Sequence, residues 1–279
     1  MSIIPGISAL KKRPRAGLLG VASPLPSGTD WHREISYTPE GCTAPDAIPV
    51  CGATEKPEAI VQEAMVIRPF GIVASDGCND PWASNEEFVQ RAERVLSMGE
   101  SAILARELLQ STVSANPDLQ GNAVNITPGG LPVVGDSGGN PVGWQEAATA
   151  LIYNMVNAGY VGDIVMHAPS WLLPSFNTSQ VGAIDPTTRR AYIGPHEVVF
   201  DAGYNGLIGP GGDPGLAAPN VAGWVYATGP VEYAFGDLID DDALIAADNR
   251  QNTRYVVAER PGIVRFDICQ VFGILVEVC

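Results

Sequence analysis

The sequence predicts an α+β fold that is built around one long helix. Apolar residues recur at intervals near 3.6 between Ser84 and Gln110, which is typical of an amphipathic helix. The segments on both sides of this helix show the apolar–polar alternation of strands, above all toward the C-terminus. Helices and strands that are grouped in this way correspond to an α+β layout.

The long helix carries its own start signals. Ser84 and Glu87 form a capping box, and Glu86 adds negative charge at the positive end of the helix dipole. The predicted apolar stripe consists of Phe88, Ala92, Val95, Leu96, Ile103, Leu104 and Leu108. The predicted polar side carries Arg91, Glu93, Arg94, Glu100, Arg106 and Glu107. At 1.5 Å per residue such a helix spans roughly 40 Å, so we expect a strut.

The chain is poor in charge for its length of 279 residues. Only 17% of its residues are charged and its mean hydropathy is +0.09, whereas an ordinary soluble domain has about 25% charged residues. No stretch approaches the roughly 18 to 20 apolar residues that span a bilayer. Two explanations stay open: other subunits cover much of the surface, or the protein has a large ordinary core.

The formal net charge of −15 excludes a global basic footprint for nucleic acid. One basic cluster, near the N-terminus, consists of Lys11, Lys12, Arg13 and Arg15. It either contacts phosphate or an acidic neighbour, or belongs to a solvated arm. Its charges follow a short apolar stretch, which is the reverse of the order in a secretory signal peptide. Five cysteines without a close pair fit a reducing cytoplasm.

The residues before the long helix are predicted to be extended. Proline and glycine break residues 1–30 into an arm without regular elements. Residues 31–39 and 63–74 are strand candidates that a long proline-rich link connects. Together they predict a projecting β-hairpin, and the alternative is an irregular surface region.

The residues after the long helix are predicted as loops, a second helix and strands. The second helix ends at Asn157, with Gly159 as its C-terminal cap. Its predicted apolar face consists of Ala148, Leu151, Ile152, Met155 and Val156. Strands are expected in DIVMHA, HEVVFDAGY, GWVYATG and PVEYAFGDLI, and a turn or hairpin in GAIDPTTRRAYIG. The C-terminal region is predicted as strand, turn at Pro261–Gly262, strand and strand.

The sharpest short motif is Gly135–Gly139, GDSGG, which is the sequence around the nucleophile of trypsin-like serine proteases. Such a serine needs a base, and His32 is the one histidine upstream of Ser137. A helix is expected after Ser137, where that protease fold continues with strands. We therefore interpret the motif as a loop built from Gly, Asp and Ser.

Candidate metal sites are weak in this sequence. HEVVF begins like a zinc helix motif at His196 but lacks the second histidine. Asp240–Asp242 either bind a divalent cation or form a solvated acidic turn. No standard zinc spacing is matched by Cys42, Cys51 and Cys78. The residues thus predict no metal, no cofactor and no catalytic site.

From Asp163 onward the sequence resembles a known family. The segments DIVMHAPSWLLPSF and GPHEVVFDAGYNGLIG look like the axial domain of the Hong Kong 97-type major capsid proteins of tailed phages. The C-terminal region resembles the closing peripheral-domain strands of members from actinobacterial phages, most specifically at Ala258–Arg260 and Phe266–Cys269. The resemblance covers residues 31–279.

The resemblance implies a Hong Kong 97-type capsid fold whose element order matches the order above. Its parts are an N-terminal arm (1–30), an extended β-hairpin loop (31–82), a peripheral domain with the spine helix (83–135), an axial α/β domain (136–228) and a return to the peripheral sheet (229–279). Some members carry a long N-terminal scaffolding segment that is cleaved away. We do not expect one here, because about thirty residues precede the hairpin.

The resemblance also implies a structural protein and not an enzyme. Family members form the hexamers and pentamers of an icosahedral head around double-stranded DNA. They assemble in the host cytoplasm and become part of the virion. The implied partners are copies of the chain itself, the packaged DNA, a portal, and separate scaffolding or decoration proteins, without a membrane or a cofactor. An encapsulin-type shell, a minor virion protein of the same fold and a serine hydrolase that uses Ser137 are the alternatives.

The candidate assembly residues lie on the expected arm, loop, spine helix and C-terminal strands. They are Lys11, Lys12, Arg13, Arg15, Trp31, Lys56, Arg91, Arg94, Arg106, Glu259 and Arg260. Some family members crosslink a loop lysine to an asparagine of a neighbour. Lys56 lies in the corresponding region, with Asn249 or Asn252 as acceptor, but no local motif supports this crosslink.

Overall fold

The computed structural model shows two β-sheets that pack against one long helix. It describes residues 17–38, 64–78, 85–110, 122–126, 132–135, 139–188, 190–209, 217–239, 246–248, 253–267 and 271–278. The helices of these residues are α1 (Leu18–Val21), α2 (Asn85–Gln110), α3 (Trp144–Asn157) and α4 (Leu173–Ser179). The strands are β1 (Ser23–Pro24), β2 (Ile35–Tyr37), β3 (Met65–Ile67), β4 (Phe70–Cys78), β5 (Asn122–Ile126), β6 (Pro132–Gly135), β7 (Val165–Pro169), β8 (Ala183–Ile184), β9 (Ala191–Ile193), β10 (His196–Asp201), β11 (Ala222–Thr228), β12 (Val231–Phe235), β13 (Ala246–Asp248), β14 (Thr253–Phe266) and β15 (Phe272–Glu277).

Strand β14 is the centre of the first sheet. It pairs antiparallel with β4 along one edge, and with β12 and β13 along the other. Strand β1 extends the sheet parallel to β12. The predicted hairpin pairing is confirmed, because β2 and β3 are antiparallel with Ile35 opposite Ile67.

The turn expected at Pro261–Gly262 is wrong, because β14 continues through both residues. The carbonyl of Pro261 accepts a hydrogen bond from the amide of Gly236 at 2.9 Å, one residue beyond the end of β12. The N–H and C=O of a residue point to the same edge of an antiparallel strand. The N–H that proline lacks would therefore point to the edge of Gly236 and away from β4, so the pairing with β4 loses no hydrogen bond and the strand tolerates the proline.

The second sheet has the strand order β6-β5-β15-β11-β7-β10-β9-β8. Strand β15 pairs with β11 in this sheet, so the expected return of residues 229–279 to the peripheral sheet does not hold for β15. Strands β5 and β6 also extend the second sheet, although they fall within the expected peripheral segment 83–135. The remaining domain boundaries stay a prediction.

The sequence of β15 explains its place in the second sheet. Its first five residues, FGILV, are all buried, as is typical of a strand that is covered on both faces. Phe272, Ile274 and Val276 pack with α3, and Leu275 belongs to the cluster around α2. Alternate side chains of one strand thus contribute to two cores.

Helix α2, which we call the spine helix, is confirmed within one residue of its predicted start. The predicted stripe is buried at Phe88, Ala92, Leu96, Leu104 and Leu108. Val95 was wrongly placed on this stripe, because its side chain is 47% exposed. Glu100 and Glu107 were wrongly placed on the polar side, because they are only 1% and 7% exposed. Burial follows steps of four residues from Phe88, and this row passes through position 100.

The buried face of the spine helix packs against both sheets. Its residues form one cluster with Ile72 and Val256 of the first sheet and with Trp224 and Leu275 of the second. The other face of the second sheet is covered by α3, which contributes Leu151 and Met155 to a separate cluster. Val156, which was also predicted on the apolar face of this helix, is 58% exposed.

A chain of hydrogen bonds crosses the second sheet at His167, whose side chain is fully buried. The Thr228 hydroxyl donates to the carbonyl of Gly229 at 2.8 Å and therefore accepts from Nε2 of His167, 2.6 Å away. Nδ1 of His167 then accepts from the Tyr204 hydroxyl at 2.7 Å. Burial lowers the pKa of His167 to about 3 and raises the pKa of Tyr204. The neutral imidazole thus links three segments of the core.

We predict that Leu96→Asp prevents folding, because Leu96 is 3% exposed and a buried unpaired carboxylate costs several kcal/mol. The neighbouring substitution Val95→Asp is the matched control and should change the free energy of unfolding by less than about 1 kcal/mol. Soluble yield and thermal melting followed by circular dichroism measure both. A folded Leu96→Asp variant would show that this face of the helix is not in the core.

We also predict that the protein loses stability in acid through His167. Its folded-state pKa of about 3 lies below the ordinary value of 6.5, so the unfolded chain takes up a proton first as the pH falls. This contribution is complete above pH 6.5 and is lost toward pH 3. Between pH 7 and pH 5 it amounts to about 2 kcal/mol.

Urea unfolding at a series of pH values measures this loss. His167→Gln should be less stable at pH 7 but should lose much less stability between pH 7 and pH 5. His196→Gln is the control. Burial lowers the pKa of the partly exposed His196 and the charge of Asp163 opposes this shift, so the substitution should change the pH slope less than His167→Gln does. An unchanged pH slope in His167→Gln contradicts the prediction.

Candidate assembly surfaces

The buried carboxylate of Asp201 fixes helix α1 to the core. One oxygen, Oδ2, accepts hydrogen bonds from the amide of Leu18 at 2.9 Å and from the hydroxyl of Ser101 at 2.6 Å. The other, Oδ1, accepts from the amide of Gly203 at 2.9 Å. Asp201 lies at the end of β10 and Ser101 lies on the spine helix. A single carboxylate therefore connects α1, the spine helix and the second sheet.

Two glycines allow this close approach. Gly17 has φ of +78°, and a Cβ there would collide with the carboxylate of Asp201. A Cβ at Gly203 would collide with the backbone carbonyl of Ala102 in the spine helix. Backbone thus packs directly on the spine-helix backbone at Gly203, just after β10, whereas the backbone at Gly17 packs on the side chains of Asp201 and Ser101.

The base of the extended hairpin is fixed by a small core of its own. Leu25, Ile67 and Ile263 are buried there, and Trp31 and Ile35 pack against them. The Tyr37 hydroxyl donates to the carbonyl of Phe266 at 2.9 Å, and burial raises the pKa of Tyr37 to about 12. The hairpin base is therefore held on β14, while residues 39–63 lie outside the described part of the chain.

A charged pair completes the attachment of Tyr37. The Arg265 guanidinium lies 5.1 Å from the centre of the Tyr37 ring. Its Nε donates to Glu232 of β12 at 2.6 Å. This cation–π contact and the ion pair hold the aromatic ring between neighbouring strands of the first sheet.

The spine arginines are exposed as expected. Arg91, Arg94 and Arg106 all lie on the outer surface of the spine helix. Arg91 also lies over the ring of Phe88, 5.9 Å from its centre. Their contact with neighbouring subunits stays a prediction.

The two candidate residues of β14 face opposite sides. Arg260 lies on the side of the spine helix, where its Nη1 donates to Oε1 of the buried Glu100 at 2.6 Å. Its guanidinium also lies 5.4 Å from the centre of the Phe235 ring. Glu259 is partly exposed on the opposite face, across from Val73. Arg260 therefore stabilises its own subunit, which the sequence did not indicate.

Several candidates lie outside the described residues. These are Lys11, Lys12, Arg13, Arg15 and Lys56, together with Asn249, Asn252, Ser137 and Asp240–Asp242. Trp31 is described, and its indole packs on the hairpin base beside His32. Its contact with a neighbouring subunit stays a prediction.

Sequence reasoning missed Asp201, Glu100 and Tyr37 as structural residues. An aspartate directly before Ala-Gly at the end of an apolar strand was the available signal for Asp201. Among the described side chains, no group of three His, Cys, Asp or Glu forms a metal site. None of the helices in the described part of the chain has the length and apolarity needed to cross a membrane.

We predict that Asp201→Asn loosens the arm anchor, because the new amide places a donor against existing donors, at a cost of about 1–3 kcal/mol. Hydrogen exchange should accelerate in residues 17–21 and change little in Trp144–Asn157. Asp237→Asn, at an exposed position, is the control. Unchanged exchange in residues 17–21 would show that Asp201 does not hold the arm.

We further predict that Arg260→Ala destabilises the subunit by about 3 kcal/mol, because it leaves Glu100 charged and buried. The control is Arg68→Ala, which removes an ion pair with Glu34 whose side chains are 61% and 53% exposed. That substitution should cost at most about 1 kcal/mol. Urea unfolding of the unassembled subunits measures both, and equal costs contradict the prediction.

The fold is similar to solved structures over nearly its whole length. A chain from the capsid of an empty GTA particle has a TM-score of 0.55 at 12% identity, with 97% of this chain and 94% of that chain covered. The capsid of Ralstonia phage GP4 gives a TM-score of 0.51 at 10% identity, with coverage of 100% and 98%. A chain of Mycobacterium phage Ogopogo gives 0.50 at 11% identity, with coverage of 99% and 96%.

No protein-family model matches the sequence, and no curated protein matches it either. The likeness is therefore one of fold, and it extends from the arm through the spine helix to the last strand of the second sheet. It agrees with the fold that the sequence resemblance implied. This chain has the fold of phage capsid proteins of the Hong Kong 97 type.

Proposed function

We propose that this chain is a major capsid protein, which assembles into the hexamers and pentamers of an icosahedral phage head around double-stranded DNA. The observation that carries the proposal is a capsid fold with 97–100% of this chain covered in the three comparisons above. The three matched capsid chains are in turn covered to 94%, 98% and 96%, so the likeness involves nearly the whole of each chain.

The construction of the subunit supports this role. The hairpin base is fixed to β14 through Tyr37, and α1 is fixed to the spine helix and β10 through Asp201. Surfaces that are ordered in advance suit contacts with neighbouring copies, because binding then costs little entropy. The low charge content of 17% is also expected of a chain that covers surface against other subunits.

We infer that the protein is structural and not an enzyme. Both ring nitrogens of His167 are engaged inside the core, so this histidine does not offer an accessible base. A portal, scaffolding or decoration proteins and the packaged DNA belong to the proposal as partners of the shell. The proposed location is the virion, after assembly in the host cytoplasm.

Electron microscopy of the purified protein tests the proposal. The chain should be expressed alone and together with the genes that flank it in its own genome, which would supply a separate scaffolding protein. We expect closed icosahedral shells, and DNA protected from nuclease in particles that form in the native host. Shells that contain only protein cargo would favour an encapsulin-type role, and folded monomers under both conditions contradict the proposal.

A fluorophosphonate probe tests the alternative from another class. Stoichiometric labelling at Ser137, lost in Ser137→Ala, would favour a serine hydrolase. We expect no labelling above that of denatured protein, because a serine is nucleophilic only beside a base that takes its proton, and His167 has both ring nitrogens engaged inside the core.

A further inference from the structure

The outer side of helix α3 beyond Glu146, and the turn that follows the helix, form a surface without charge. Its exposed members are Thr149, Tyr153, Val156 and Asn157 on the helix and Val161 and Gly162 on the turn, and we call them the charge-free face. No Asp, Glu, Lys or Arg occurs between Glu146 and Asp163. The side chains of Tyr153, Val156 and Val161 are 51%, 58% and 58% exposed.

A surface helix ordinarily presents charged residues to water. The spine helix of the same chain does so, with Glu86, Glu87, Arg91 and Arg94 along its outer side. The apolar residues Tyr153 and Val156 instead stand three positions apart, which places them side by side on α3. The composition of α3 is therefore that of a helix whose outer side is covered.

The charge-free face is held in one conformation. After Val156 the helix ends in a Schellman motif, in which the amide of Tyr160 donates to Met155 at 3.1 Å and that of Gly159 to Val156 at 3.0 Å. Gly159 adopts φ of +85°, as this motif requires. The hydroxyl of the buried Tyr160 then donates to the carbonyl of Asp163 at 3.1 Å, which closes the turn that carries Val161. A partner would therefore meet a preformed surface and lose little entropy on ordering it.

We propose that the charge-free face binds a second copy of this chain, within the assembled shell. This inference rests on the proposed function, which supplies many identical copies. Charge favours this occupant: each copy carries −15, so two copies repel each other, and they approach at least cost where neither contributes a charge.

The size of the face indicates the strength of the contact. Three half-exposed side chains cover far less than the roughly 800 Å² per partner of a standard stable interface. The contact is thus too small for an isolated dimer and requires other contacts of the assembly beside it. The chain can accordingly remain unassembled as a free subunit and still gain from this face once a ring of subunits forms.

Paired charge substitutions test the face. The variant Tyr153→Glu with Val156→Glu places two carboxylates on it, and we expect at least about a tenfold loss of assembled particles, because a charge at such a contact loses its water or repels the neighbour. The control is Ile208→Glu with Val221→Glu, at apolar side chains that are 50% and 45% exposed and are not among the candidate assembly residues. Both variants should melt as cooperatively as the unaltered protein, since all four positions are exposed.

Particle yield by sedimentation and electron microscopy is the readout. Loss confined to the α3 variant supports the contact, while equal yields, or equal loss in both variants, overturn it. If the unaltered chain forms shells and the α3 variant does too, the charge-free face is wrong and the proposed function stands. If the unaltered chain forms none, the proposed function fails.

A photocrosslink decides the contact independently of particle yield. Benzoylphenylalanine in place of Tyr153 should join two copies into a covalent dimer upon irradiation at high protein concentration, and more so in assembled particles. Mass spectrometry of mixed isotope-labelled chains distinguishes this from a crosslink inside one chain. Crosslinks within one chain, or none between copies, overturn the proposal.

Discussion

The packing of the spine helix against two sheets at once is the contact on which the rest of the structure depends. Its buried residues, from Phe88 to Leu108, meet the first sheet at Ile72 and Val256 and the second at Trp224 and Leu275. The burial of one apolar helix face therefore stabilises both sheets. A chain in which each sheet had a core of its own would leave their relative orientation to weaker polar contacts.

Polar contacts then fix how the two sheets sit along the helix. The buried pair of Glu100 and Arg260 joins the helix to β14, and the carboxylate of Asp201 joins it to β10 and to α1. A buried ion pair adds little net stability, but its geometry is specific because the alternative is an unpaired buried charge. We infer that these two sites select the position of the helix, whereas the apolar stripe supplies most of the free energy of burial.

The surfaces available to other molecules follow from this arrangement. The base of the hairpin and helix α1 are attached to the core through Tyr37 and Asp201. The outer side of the spine helix is charged, whereas the outer side of α3 beyond Glu146 is not. These different chemistries suit different contacts, so charge substitutions on α3 and at an unrelated exposed position separate a specific contact from a general effect of charge.

Local patterns by themselves determined helices α2 and α3 and the hairpin, whereas α1 and β1 lie in the arm that was wrongly expected to be without regular elements. The apolar period set the spine helix, Gly159 set the end of α3, and the alternating segments around Ile35 and Ile67 paired as expected. Each of these features depends on residues within a few turns or one hairpin of each other. A sequence shows such features directly, because backbone geometry and apolar spacing specify them.

Only the tertiary structure decided which sheet β15 joins, why Pro261 lies within a strand, and why Glu100 and Asp201 are buried. The partners of these groups lie far apart in the chain: 160 residues separate Arg260 from Glu100, and 183 separate Leu18 from Asp201. From the sequence alone, a carboxylate in a row of apolar residues is assigned to the polar surface, because the distant group that binds it in the core is not apparent. The sequence thus specified the elements, and the long-range pairing of buried polar groups determined how they fit together.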